Sequence, residues 1–220
     1  MASLATPKLE AAAVCAVVLA GGRATRMGGV DKGLQLFRGQ SLVEIAIDRL
    51  RRQSAGVPGQ IAINANRNLN QYVTLNVPVW SDSVPDFAGP LAGFLSAMQH
   101  CQGLQAYVLS VPCDSPLFPL DLLARLAAAL VQEDADIAMA MAADVQADGS
   151  SVLRPQPVFC LMRSHLGESL QNFIASGGRK VGAWTASHRQ TRVAFNAEGD
   201  DARAFANANT LDELHDLEKP

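Results

Sequence analysis

The 220-residue chain has little from which to build a metal cage or a disulfide framework. Its four cysteines, Cys15, Cys101, Cys113 and Cys160, include no C-x-x-C pair, and their spacing suits neither a zinc site nor paired bridges. Two of them sit in apolar runs, as small core residues do, and a reducing cytoplasm is the simplest compartment for such a chain. The histidines, His100, His165, His188 and His215, are scattered without metal-ligand spacing. No apolar run reaches the length of a membrane span. Basic residues are not in excess either: the net charge is -3, which argues against a general nucleic-acid binder. Two phosphate-binding fingerprints are also missing. Without G-x-x-x-x-G-K-[ST] a P-loop kinase or GTPase is disfavoured, and without G-x-G-x-x-G so is a nicotinamide enzyme.

With 49% hydrophobic and 18% charged residues, the composition is that of a compact globular protein and not of a disordered one. No internal repeat or long linker divides it, so a single domain over 1–220 is expected. The apolar run Ala11 to Ala20 could imitate a secretion signal, but Lys8 is followed by Glu10, which leaves the positive flank weak. Residues 1–12 are expected to form a loose leader, and the first strand to follow them.

Apolar runs alternate with helical patterns from there on. Strands are expected over 14–20, 60–65, 77–81, 105–111, 136–142 and 156–162. Ser41 with Glu44 has the form of a capping box, and Leu42, Ile45 and Ala46 follow at helical spacing, predicting a helix over 41–53. Gly89-Pro90 opens a second helix, with Leu91, Leu95 and Met98 on one face. Pro119 opens a third, with Leu123, Leu126 and Leu130. Leu166, Leu170, Phe173 and Ile174 mark a fourth, and Thr210 with Glu213, a second capping box, opens a short last helix. Asp144 to Ser151 is polar and reads as a mobile turn between two strands. The alternation predicts an α/β fold, a three-layer α/β/α sandwich on a mostly parallel sheet. Ligands of such sheets bind beyond the carboxyl ends of the strands, near the switch point in strand order.

The segment from Leu19 to Gly33, L-A-G-G-R-A-T-R-M-G-G-V-D-K-G, leaves the first strand at that edge. Gly21, Gly22, Gly28 and Gly29 let backbone N–H groups approach a ligand closely. With Arg23, Arg26 and Lys32 they form a cradle for a polyphosphate. A plain surface loop would need neither the cations nor the apolar strand that feeds it. Lys32 is the foremost candidate for a catalytic cation, able to neutralise charge that builds on a polyphosphate leaving group, and Arg26 adds charge beside it. Asp114, at the end of the run Tyr107 to Val111, suits a magnesium–nucleotide site, since magnesium takes carboxylate and phosphate oxygens with few protein ligands. A turn aspartate before Pro116 is the other reading. Asp82 has the same ambiguity, and both would gain if they left neighbouring strands. Asn64 can read a base edge or a ribose, or simply form a polar turn. Asn207 and Asn209 either face a substrate or cap the last helix. Arg179 and Lys180 either hold an anionic second substrate or open a helix.

The first motif resembles the nucleotidyltransferase signature, and within that superfamily the molybdenum cofactor guanylyltransferase family. Sugar-phosphate nucleotidyltransferases and molybdopterin cytidylyltransferases typically show L-A-A-G where this chain has L-A-G-G. The resemblance continues through N-A-N-R at 64–67, D-S-V-P-D-F-A-G-P-L-A-G at 82–93, P-C-D-S-P at 112–116, Q-P at 156–157 and N-A-N-T at 207–210. It implies a Rossmann-like nucleotidyltransferase fold and a magnesium-dependent transfer of GMP from GTP to the terminal phosphate of molybdenum-molybdopterin, with release of pyrophosphate. By resemblance Leu19, Ala20, Gly21 and Gly22 contact the guanine nucleotide, Lys32 its phosphates, and Asn64 and Asp82 further parts of it. Asp114 binds Mg²⁺, and Arg179, Lys180, Asn207 and Asn209 receive the pterin. The product would pass by transient contact to molybdoenzymes or their chaperones. Ala24 stands where many members have serine.

The residue chemistry agrees with such a reaction. A phosphate monoester, with a second pKa of about 6, is largely ionised at neutral pH and needs no protein base. Another nucleotidyltransferase is the first alternative, against which Gly22 and the D-K-G ending argue. A nucleotide-binding regulator is the second, against which the presence of both Lys32 and Asp114 argues.

Overall fold

The computed structural model describes residues 9–20, 31–84, 89–145 and 151–219. The first strand, β1 (Val14–Leu19), alternates between two cores: Val14, Ala16 and Val18 enter one, Cys15 and Val17 the other. A strand apolar on both faces calls for parallel neighbours and helices on either side. Next come a single 3₁₀ turn (Lys32–Leu34), the hairpin β2 (Leu36–Phe37) and β3 (Gln40–Ser41), and α1 (Leu42–Arg51). They lead to β4 (Gln60–Asn64), α2 (Leu69–Tyr72), β5 (Val79–Trp80), α3 (Pro90–Cys101), β6 (Tyr107–Pro112) and α4 (Leu122–Gln132). The chain then forms β7 (Ile137–Val145), β8 (Ser151–Arg163), α5 (Gly167–Ala175), α6 (Val181–Thr185), β9 (Gln190–Phe195) and α7 (Leu211–Glu218).

Among the described residues, seven strands form one sheet in the order β5-β4-β1-β6-β8-β7-β9. All run parallel except β8, which is antiparallel to both β6 and β7. Helices α1 and α4 bury Val43, Ile47, Leu50, Leu123, Leu126 and Leu130 on one face. On the other, α3, α5 and α6 bury Leu91, Phe94, Leu95, Leu170, Ile174 and Trp184. The three-layer sandwich expected from the alternation is therefore present. A third cluster, Phe37, Leu42, Ala208, Leu214 and Leu217, docks α7 against the hairpin and the start of α1.

Local signals act as the sequence implies at α1, where the Ser41 hydroxyl accepts from the Glu44 N–H and the Glu44 carboxylate accepts from the Ser41 N–H. At α7 only half of the expected box forms. Thr210 accepts from the Glu213 N–H, but Glu213 reaches one residue further back, to the Asn209 N–H at 2.6 Å. The polar stretch expected as a turn is shorter than predicted: Asp144 and Val145 belong to β7 and Ser151 to β8, and residues 146–150 lie outside the described ones. Asp144 is held there by Arg154. The β7–β8 register shifts between Met139 and Met141, whose partners are Cys160 and Pro155. The resulting bulge contains Pro157, which has no N–H to give a ladder. Of the expected loose leader, residues 1–8 are not described. Leu9 and Ala11 pack against the first core, and Ala11 O accepts from the Gly59 N–H at 3.0 Å. No helix among the described residues is long and apolar enough to cross a membrane.

Candidate active site

The strand order runs outward from β1 in both directions, to β4 on one side and β6 on the other. The switch point therefore lies at the carboxyl end of β1, where open α/β sheets hold their ligands. Hydrogen bonds carry the sheet one residue past its strands there: Ala20 N–H donates to Asn64 O at 2.8 Å, and Cys113 N–H to Leu19 O at 3.1 Å. This fixes the exits that lead toward Lys32 from β1 and to Asp114 from β6.

Lys32, Asp114 and Asn209 meet at this edge. Lys32 Nζ donates to Asp114 Oδ2 at 3.2 Å and to Asn209 Oδ1 at 2.8 Å. The Lys32 and Asp114 side chains are each about one-fifth exposed, so the pair is shielded yet open to a ligand. The C-terminal segment is laced to the same place. Ala208 N–H donates to Asp114 O at 2.8 Å, and Ser115 Oγ donates to Asn207 Oδ1 at 2.5 Å. Cys113, next to Asp114, is not a nucleophile: burial, and then the Asp114 carboxylate, push its thiol far up.

Asn64 and Asp82 form a second polar group. Asn64, 3% exposed, donates through Nδ2 to Trp80 O at 3.2 Å and to Asp82 Oδ1 at 3.1 Å. Asn66 Nδ2 donates to Asp82 Oδ2 at 2.7 Å, and its Oδ1 accepts from the Asp82 N–H at 2.8 Å. Asp82 and Asp114 do not leave neighbouring strands, because β4 and β1 lie between β5 and β6. Their mutual reinforcement is therefore withdrawn. Arg179 and Lys180 lie between α5 and α6, on the layer opposite α1 and α4; Arg179 donates to Gly178 O at 2.9 Å and Lys180 is the N-cap of α6. Gly21, Gly22 and Arg26 lie outside the described residues, while Leu19 closes β1 and Ala20 follows it, buried.

One feature of the site has no signature in the sequence. Asp31, 7% exposed, accepts from the Gly33 N–H at 3.1 Å, from the Tyr72 hydroxyl at 2.6 Å and from Asn68 Nδ2 at 3.0 Å. Asp31 and Gly33 flank Lys32 in the sequence, but nothing there points to Tyr72 or Asn68. Burial, and then Asp31, push the Tyr72 phenol well above its ordinary range, so it stays a donor.

Among the described residues no group of three or more His, Cys, Asp or Glu side chains could hold a metal. Asp114 nonetheless fits magnesium, which is often held by one or two carboxylates plus substrate phosphate oxygens. A cation and a carboxylate side by side, at the switch point and next to the strand that feeds the glycine-rich run, suit charge stabilisation in phosphoryl chemistry.

The chain is similar to known proteins over most of its length. Residues 16–192 match the family model described as the MobA-like NTP transferase domain. A molybdenum cofactor guanylyltransferase of Albidiferax ferrireducens is 54% identical over 205 residues, covering 93% of this chain and 95% of the relative. One of the same name from Methylibium petroleiphilum is 55% identical with the same coverage. The crystal structure of molybdopterin-guanine dinucleotide biosynthesis protein A from Archaeoglobus fulgidus shares the fold, with a TM-score of 0.70 at 19% identity over 93% of this chain and 96% of that one. The chain belongs to the MobA-like NTP transferases and, within them, to the molybdenum cofactor guanylyltransferase family.

Proposed function

We propose that this chain transfers GMP from GTP to the terminal phosphate of molybdenum-molybdopterin, forming molybdopterin guanine dinucleotide and releasing pyrophosphate. The observation that carries the reading is the meeting of Lys32, Asp114 and Asn209 at the carboxyl edge of β1 and β6, in a member of this family. A terminal phosphate oxygen of the pterin attacks the α-phosphorus of GTP. The bond from that phosphorus to the bridging oxygen breaks, and the electron pair leaves with pyrophosphate. The nucleophile is already ionised at neutral pH, so alignment and charge stabilisation supply the catalysis. Lys32 neutralises charge on the leaving pyrophosphate, helped by Arg26 and the N–H groups of Gly21 and Gly22. Asp114 would hold Mg²⁺, which supplies further charge neutralisation on the phosphates when bound.

Leu19, Ala20, Asn64 and Asp82 line the nucleotide side in this reading. Asn207 and Asn209, with Arg179 and Lys180, take the pterin side. In this reading the protein works in the cytoplasm on small molecules, as the guanylyltransferase name of its relatives supports for the substrates. It would hand its product to molybdoenzymes or their chaperones by transient contact.

The test is an assay with molybdenum-molybdopterin, Mg²⁺ and each of GTP, CTP, ATP and UTP. Dinucleotide and pyrophosphate should appear with GTP. A preference for CTP would make the protein a cytidylyltransferase, and no pyrophosphate from any nucleotide would favour a regulator.

A further inference from the structure

The residues on either side of Lys32 are both fixed by one buried carboxylate. Asp31 Oδ1 accepts from the Gly33 N–H and from Tyr72, and Oδ2 accepts from Asn68. A buried carboxylate is costly unless donors surround it, and here three donors from two parts of the chain do so. Tyr72 is wholly buried and also closes over the turn from the other side: a Cβ on Gly33 would lie 2.5 Å from the Tyr72 oxygen. Helix α2, four residues long, is bounded by the two donors. Asn68 precedes it in the left-handed region, at φ 52°, and Tyr72 ends it. Asn accepts that backbone more readily than most residues and still offers an amide donor.

We propose that Asp31, Tyr72 and Asn68 are positioning residues for Lys32: they clamp the backbone on both sides of it so that its ammonium is aimed at the Asp114 edge. A lysine stem has many rotamers, and a charge stabilises a transition state only where it is held in place beforehand. Clamping the flanking backbone removes the first source of that freedom. The expected effect on rate rests on the guanylyl-transfer reading; the aiming of Lys32 does not.

Tyr72→Phe, which keeps the ring and deletes the hydroxyl, tests this in the full chain. Asn68→Gly, which keeps the left-handed backbone accessible and removes the amide, is the second variant. One readout is independent of activity: trace acetylation with acetic anhydride, followed by mass spectrometry. Lys32 should acetylate several-fold faster in either variant, while Lys180 and Lys219 keep their wild-type rates. The other is steady-state GMP transfer, where kcat should fall roughly tenfold with little change in KM for GTP. Tyr72→Phe added to Lys32→Ala should cost nothing further, since its effect runs through the lysine. If folded variants melt lower but keep wild-type kcat and Lys32 reactivity, the three residues are structural only and the proposal is overturned. If the wild-type chain transfers no GMP yet Lys32 reactivity still responds to Tyr72→Phe, the positioning stands and the proposed reaction fails.

Discussion

Lys32 has two neighbours that hold it before any ligand arrives, Asp114 and Asn209. In the proposed reaction its ammonium would exchange part of that contact for phosphate oxygens. Lys32→Ala should lower turnover at saturating GTP by roughly a hundredfold, as for the loss of one preorganised stabilising group. Near wild-type turnover would remove Lys32 from the mechanism. Asp114→Asn keeps the shape but removes the charge, so magnesium-dependent turnover should vanish. The melting temperature should change little, because a partly exposed ion pair contributes modestly to stability. A variant with an unchanged magnesium titration would sink that role. Each of these residues carried a local signal in the sequence: a cation in a glycine-rich run, an aspartate at a strand end, an asparagine before a capping box. Tyr72 and Asn68 carried none. They lie 41 and 37 positions from Asp31, and no periodicity or motif encodes a hydrogen bond across that distance.

The elements that could be read from the sequence were those with a strong period or a cap. Strands β1, β4 and β6 are short, apolar and buried, and α1, α3, α4 and α5 present apolar faces. Five elements lacked such a signal: the hairpin strands β2 and β3, with two residues each, α2, with four, α6, with five, and β9, whose residues Gln190, Thr191 and Arg192 look polar. As one of the two edge strands, β9 pairs on one side only, with β7, among the described residues. It is tied to α4 by Arg125, which donates to Asp200 Oδ1 at 2.8 Å and lies 3.9 Å over the Phe195 ring. The Arg125 hydrogen bond holds the Asp200 carboxyl below the usual carboxylate range. A carboxyl group depressed in the folded state stabilises above its unfolded pKa, near 4, and that stability is lost as pH falls through the folded value. Asp200→Asn should therefore lower the melting temperature at pH 7, and its difference from wild type should shrink as pH drops below about 4. A pH-independent difference would show that the charge plays no part. Helix α3 offers a second check. A Cβ on Gly93 would lie 2.6 Å from Asn64 Oδ1 and 2.7 Å from Leu19 Cδ2. Gly93→Ala should thus destabilise by about 1–3 kcal/mol, as overpacking does, and weaken GTP binding by displacing Asn64. Unchanged melting and binding would mean that α3 can move away freely.

At the scale of the whole molecule, the site is assembled from distant parts of the chain. The sheet brings the exits of β1 and β6 together, and a separate cluster on Phe37 and Leu42 docks α7, so that Asn209, just before that helix, reaches Lys32. A ligand that bridges these parts binds only the folded state, and the free energy of that binding adds to the stability of the whole chain. At a hundred times its Kd, GTP with Mg²⁺ should add about 2.7 kcal/mol. For a chain of this length each kcal/mol is about 2–4 °C, so the melting temperature should rise by roughly 5–10 °C. CTP, ATP and UTP at the same concentration should give smaller shifts, because they would lie nearer to or below their own Kd. The shift with GTP should also shrink in Asp114→Asn if the metal joins nucleotide to protein through that carboxylate. Equal shifts with all four nucleotides would mean that the fold grips the triphosphate without reading the base, and guanine selection would then have to arise in the transfer step.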